Sequence, residues 1–275
     1  MCAIVAAVGL FVIVRRWAGD IPLKLPRADR QCTVEADGRV SLDADQMANA
    51  ATIAAIGIRR GMPERAVVVA LATAFQESKL QNLGHGDRDS VGLFQQRPSK
   101  GWGTVEQIQD PRYAARKFYD ALRKVRGWEK MRVTDAAQKV QRSAYPEAYE
   151  KWADESTVLT KALLGNATGA VACTVSDKPS VRGLTASTAL HKELQLDWGT
   201  PESAAPGGVG LTLPVPDARS GWRYAHWLVS HAADHGLKRV HFADLEWTAK
   251  DGTWVKTKQG APATGVVAEV FGDEA

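Results

Sequence analysis

Pro63-Glu64-Arg65-Ala66-Val67-Val68-Val69-Ala70-Leu71-Ala72-Thr73-Ala74-Phe75-Gln76-Glu77-Ser78-Lys79 is the stretch on which the reading of this chain turns. Pro63 fits the first turn of a helix, where its missing N–H costs little. From Ala66 to Phe75 small, β-branched and apolar residues occupy every side, and a helix apolar all round is buried at a domain centre. Glu77 is the first carboxylate after the helix start, where that helix should surface. Desolvation at such a mouth disfavours the charged form of a carboxyl, as a general acid near neutral pH requires. Glycosidic bonds are cleaved by protonating the leaving oxygen in this way. The alternative is an ordinary surfacing glutamate beside Lys79.

Outward from the helix run the polar loop Gly84-His85-Gly86-Asp87-Arg88-Asp89-Ser90, then Gly92-Leu93-Phe94-Gln95-Gln96, then Gly101-Trp102-Gly103. Glu-Ser at a helix end followed by Gly-Leu-Phe-Gln resembles the lysozyme-like superfamily of lytic transglycosylases and goose-type lysozymes. The resemblance is closer to bacterial envelope proteins reading Gln-Glu-Ser-x-Leu and then Gly-Asp-Arg-Asp-Ser-x-Gly-Leu-Phe-Gln-Gln-Arg-Pro-Ser, and it covers about residues 41–155. It implies that Glu77 is the catalytic acid/base and that residues 92–95 form a strand lining a glycan cleft. Gln95 is then the cleft-facing glutamine, because Gln96 on a strand points the other way. Ser90 joins the substrate-binding set. Trp102, between two glycines, either stacks on a sugar or caps the core. The family's third motif, Ala-Tyr-Asn, is met by Ser143-Ala144-Tyr145-Pro146, so Tyr145 carries over and the Asn does not. Asp89 is either a second carboxylate for a hydrolase or a residue that shapes the turn.

The remaining chain is read from composition and pattern. With 45% hydrophobic and 24% charged residues the chain is globular, and its net charge of +4 is compatible with acidic wall polymers. Ala3–Val14 is wholly apolar and meets Arg15 and Arg16. Twelve helical residues span about 18 Å against roughly 30 Å of hydrocarbon, so the segment reads as a membrane anchor, one that a misplaced start could have shortened, with a short buried helix as the alternative. Cys32 and Cys173 bracket one domain, which points to a disulfide formed outside the cytoplasm; two free thiols are the alternative. In the chain-entropy model so long a loop contributes about 4 to 5 kcal/mol.

Helices are expected over Leu42–Arg60 capped by Ser41, over 63–78, after Thr104 with Gln107, after Asp110-Pro111, after Thr134, and from Pro146 to Gly165. Val171–Arg182 reads as a linker. Beyond it Thr185–Leu196 and Gly221–His235 read as helices. Val209–Val215, Arg239–Phe242, Glu246–Thr248, Trp254–Lys256 and Val266–Phe271 read as strands, with Asp251-Gly252 a hairpin signal. His231 and His235 have a spacing zinc would accept, but Ala232 and Ala233 lie between them, and packing is the commoner role.

The expected fold is α+β: a mainly α lysozyme-like domain followed by a small α/β domain. The divisions are 1–19 anchor, 20–31 linker, 32–173 catalytic domain, 174–182 linker and 183–275 accessory domain. The expected function is a membrane-anchored, outward-facing peptidoglycan-cleaving enzyme of lytic transglycosylase type. Peptidoglycan glycan strands and the membrane are its partners; no cofactor, metal or nucleic acid is expected. The alternatives are a hydrolytic lysozyme using Asp89 and a non-catalytic wall-binding or scaffold protein.

Overall fold

The structure, a computed structural model, describes residues 30–143, 145–199, 209–257 and 264–273. The anchor at 1–19, most of the 20–31 linker and a loop at 204–208 lie outside these residues. Among the described residues no helix is long and apolar enough to cross a membrane.

The fold is α+β. Strands β1 (Gln31–Glu35) and β2 (Arg39–Asp43) form a hairpin around Asp37-Gly38 that the helical reading overlooked. Asp-Gly between alternating apolar residues is a hairpin signal, and Cys32, Val34, Val40 and Leu42 are all buried. Helix α1 (Ala44–Arg59) therefore starts after β2, capped by Asp43 and Gln46 in a reciprocal box. Ser41, the expected cap, is an exposed strand residue.

Helix α2 (Glu64–Ser78) is the central element, buried continuously from Ala66 to Phe75. The short α3 (Val105–Ile108) has the Thr104–Gln107 box, and α4 (Pro111–Arg123) is capped by Asp110, both as expected. Helix α5 (Val133–Gln141) begins one residue before Thr134, which is no cap. Its hydroxyl instead donates to the Pro146 carbonyl, and its N–H reaches the Glu150 carboxylate at 2.9 Å. A distant carboxylate thus supplies the cap that local sequence was expected to give. Helix α6 (Ala153–Leu163) follows a 3-10 turn at Glu150–Trp152 rather than opening at Pro146.

Val171–Thr174 is not linker but strand β3. It pairs antiparallel with β1 and brings Cys173 opposite Cys32, where the two form a disulfide. Both cysteines are buried. Peptide mapping without reductant is expected to recover the Cys32–Cys173 peptides linked; two alkylatable thiols would contradict the bridge.

Helix α7 (Gly183–Trp198), β4 (Gly210–Pro214), α8 (Ala218–Ser230), β5 (Leu237–Phe242), β6 (Leu245–Thr248), β7 (Trp254–Lys256) and β8 (Gly265–Val270) complete the chain. Helix α8 stops at Ser230, short of the expected His235. The strands form one antiparallel sheet in the order β4-β8-β5-β6-β7, and the hairpin at Asp251-Gly252 pairs Trp247 with Trp254.

This unit is not separate from the first, as the linker reading implied; one apolar core runs through both. Its tryptophans serve that junction: the indole N–H of Trp247 donates to the Cys173 carbonyl and that of Trp254 to the Val171 carbonyl. Asp197 on α7, wholly buried, accepts from Arg112 Nε on α4 at 2.6 Å, from Trp227 Nε1 on α8 at 2.8 Å and from Thr52 Oγ1 on α1 at 3.0 Å.

The histidines face the same junction. His226 Nε2 accepts from the Ala170 N–H and its Nδ1 meets the Ala162 carbonyl, while His231 Nδ1 meets the Trp227 carbonyl. Burial pushes His226 from 6.5 down to about 4, and burial with His231 and Arg112 nearby does the same to His235. The unfolded chain therefore takes up protons first as pH falls. The stability that the neutral rings confer is present above about pH 6.5 and is lost as pH drops through about 4. The urea midpoint is expected to fall across that window; a midpoint that rose there would contradict it.

Candidate active site

Glu77 occupies the last turn of α2, and the apolar helix delivers it half-buried to the surface. Lys79 and Leu80 both take left-handed backbone, at φ 56° and 61°, and turn the chain sharply away behind it. The two residues of the Glu-Ser pair divide their tasks. Ser78 is buried and its hydroxyl donates to the Leu93 carbonyl at 2.7 Å, tying the helix end to the segment 91–96. Glu77 instead meets Tyr149 and the last residue of α5.

One carboxylate oxygen of Glu77, Oε1, accepts two hydrogen bonds. Tyr149 Oη donates at 2.6 Å and Gln141 Nε2 at 3.2 Å. Gln141, the last residue of α5, also donates to the Phe94 carbonyl at 2.8 Å. The ends of α2 and α5, the turn preceding Glu150 and the Gly92–Gln96 segment thus converge on this carboxyl. Burial first, and then the Glu77 charge, push the Tyr149 phenol well above its ordinary range, so it stays protonated and acts as a donor. No hydrogen bond holds Oε2 among the described residues.

The expected cleft strand at 92–95 is instead a tight turn closed by the Val91–Gln96 bridge. Gly92 has φ 77°, and a Cβ there would stand 2.7 Å from the Ile108 carbonyl oxygen, so the turn requires glycine. Gln95 and Gln96 do point apart, though through the turn and not through strand alternation. Gln96 is buried and donates to the Ala114 carbonyl at 3.1 Å; Gln95, half-buried at φ 46°, donates to the Gly92 carbonyl at 3.1 Å.

Other candidates fall at different distances from this centre. Ser90 is buried, its N–H donating to the Asp87 carbonyl. Asp89 accepts from Arg97 Nε at 2.7 Å, from the Ser99 N–H at 2.8 Å and from the Ser99 hydroxyl at 3.0 Å. These donors, Arg97 foremost, hold its carboxyl well below the usual range and fix it as a turn anchor. Trp102 packs half-buried on the core, its carbonyl accepting from the Tyr113 hydroxyl.

Tyr145 is 74% exposed, and the tyrosine on Glu77 is Tyr149, four residues on. A legible signal existed: Ala148-Tyr149 is a second Ala-Tyr pair, followed by Glu150 where the family motif has Asn. Gln141 carried no sequence signal, because it acts only through tertiary placement.

No protein-family model matches the chain, and no curated protein matches it either.

Proposed function

We propose that this protein cleaves the glycosidic bond between N-acetylmuramic acid and N-acetylglucosamine in peptidoglycan, as a lytic transglycosylase anchored to the cell membrane with its globular part outside the cytoplasm. The observation that carries the reading is a lone carboxyl with one oxygen restrained by two side-chain donors and the other left for chemistry. The Glu-Ser and Gly-Leu-Phe-Gln pairing supports it, since Ser78 and Gln141 join those two motifs in space.

In this mechanism Glu77 gives its proton to the glycosidic oxygen as the bond to the anomeric carbon breaks. The primary hydroxyl of the same muramic acid then attacks that carbon and returns its proton to Glu77, closing an anhydro ring. No second carboxylate is needed, which accords with an Asp89 already engaged by Arg97 and Ser99. Tyr149 and Gln141 keep Oε1 from rotating into the reacting position.

The test is clearing of a purified wall suspension by wild type, against none by Glu77→Gln. Tyr149→Phe removes one donor to Oε1 without emptying the site. It is expected to slow clearing about tenfold, in line with one lost hydrogen bond to a charged group. Unchanged rates in that variant would deny Tyr149 a positioning role.

A further inference from the structure

Two residues past Glu77 stands Lys79, and two residues past Tyr149 stands Lys151. Both ammonium groups converge on one indole. Lys79 Nζ lies 4.1 Å and Lys151 Nζ 5.4 Å from the Trp152 ring centre. The ring is itself fixed, stacked on Phe75 at 5.0 Å and donating through Nε1 to Gln76 Oε1 at 3.0 Å. Lys79 has little backbone freedom, because its left-handed carbonyl accepts from Gln46 Nε2.

Both lysines are exposed, and among the described residues no carboxylate lies within ion-pair distance of either. The adjacent acids are engaged elsewhere: Glu77 with Tyr149 and Gln141, Glu150 with the Thr134 N–H. Two like charges are therefore held against one indole, neither paired with a carboxylate among the described residues. Burial first, and then the neighbouring charge of Lys151, disfavour the ammonium form of Lys79. An anion between the two favours it.

We propose that Lys79 and Lys151, braced on Trp152 and each two residues beyond one partner of the Glu77–Tyr149 hydrogen bond, form a carboxylate-binding subsite that takes a free carboxylate of the wall's peptide stem. The assignment of the ligand rests on the peptidoglycan reading above. The stem hangs from the muramic acid, the sugar whose bond Glu77 would cleave, so a substituent of that sugar is the negative group brought to the chain just past Glu77. Paired ammonium groups suit a flexible peptide carboxylate, since each acts as a rotatable point charge and neither imposes the planar fork of arginine.

The experiment is calorimetric binding of a disaccharide–tetrapeptide wall fragment, with its carboxylates either free or converted to amides. That fragment lacks the bond proposed to be cleaved, so binding is read without turnover. Wild type is expected to bind the free form about tenfold or more tightly than the amide, the gain of a charge-assisted contact. The Lys79→Gln/Lys151→Gln variant is expected to lose that preference while keeping its thermal midpoint. Equal binding of both forms by wild type, or a preference retained by the double variant, would overturn the subsite. A glycerol-phosphate oligomer that displaced the free fragment at lower concentration than the fragment itself would reassign it to phosphate and overturn the peptide assignment. A protein that showed the carboxylate preference yet cleared no wall would sink the enzymatic reading and leave the subsite standing.

Discussion

Glu77→Gln is expected to reduce wall cleavage by about 10²- to 10⁴-fold, the usual contribution of one positioned general acid. Glutamine keeps the length and the carbonyl oxygen that Tyr149 and Gln141 address, so the site keeps its shape. What it cannot do is deliver a proton to a leaving oxygen. Circular dichroism and the thermal midpoint should match wild type, because the residue is only half-buried and its neighbours keep an acceptor. Asp89→Asn is the useful contrast. It weakens the anchor on Arg97 and Ser99 and should lose far less activity. Equal losses from the two variants would favour a hydrolase with two working carboxylates.

Asp197→Ala is expected to destabilise the fold by about 3 to 5 kcal/mol, read as a lower urea midpoint. The carboxylate is wholly buried and accepts from Arg112, Trp227 and Thr52, which belong to α4, α8 and α1. Removing it leaves the Nε–H of Arg112, an indole N–H and a hydroxyl without their acceptor in the seam between the two units. Glu193→Ala removes another carboxylate on Arg112, one that is 31% exposed, and should cost much less. If both variants matched wild type, the C-terminal unit would be attached more loosely than the shared core requires.

The central helix and its terminal carboxylate were legible because an apolar surround over ten residues has one physical meaning. The hairpin at Asp251-Gly252 and the caps at Thr104 and Asp110 were legible because they are local. What failed was tertiary. β3 looked like linker, since four residues say nothing of a partner strand more than a hundred residues earlier. The acceptor for the Thr134 N–H is Glu150, sixteen residues on, and no local pattern announces it. Matching the Ala-Tyr dipeptide does not tell which of its two neighbouring copies, at Tyr145 or at Tyr149, turns inward. Burial decides that, and Tyr149 is fully buried where Tyr145 is 74% exposed. Asp197 gave no sign in the sequence of its position at the centre of the seam between the units.

The most direct measurement is mass analysis of the soluble glycan released from purified peptidoglycan. Wild type is expected to release fragments ending in anhydro-muramic acid, and Glu77→Gln to release none above the untreated wall. Wild-type digests with no new glycan ends, or the same ends from Glu77→Gln, would contradict the assignment of Glu77 as the acid/base of glycan cleavage.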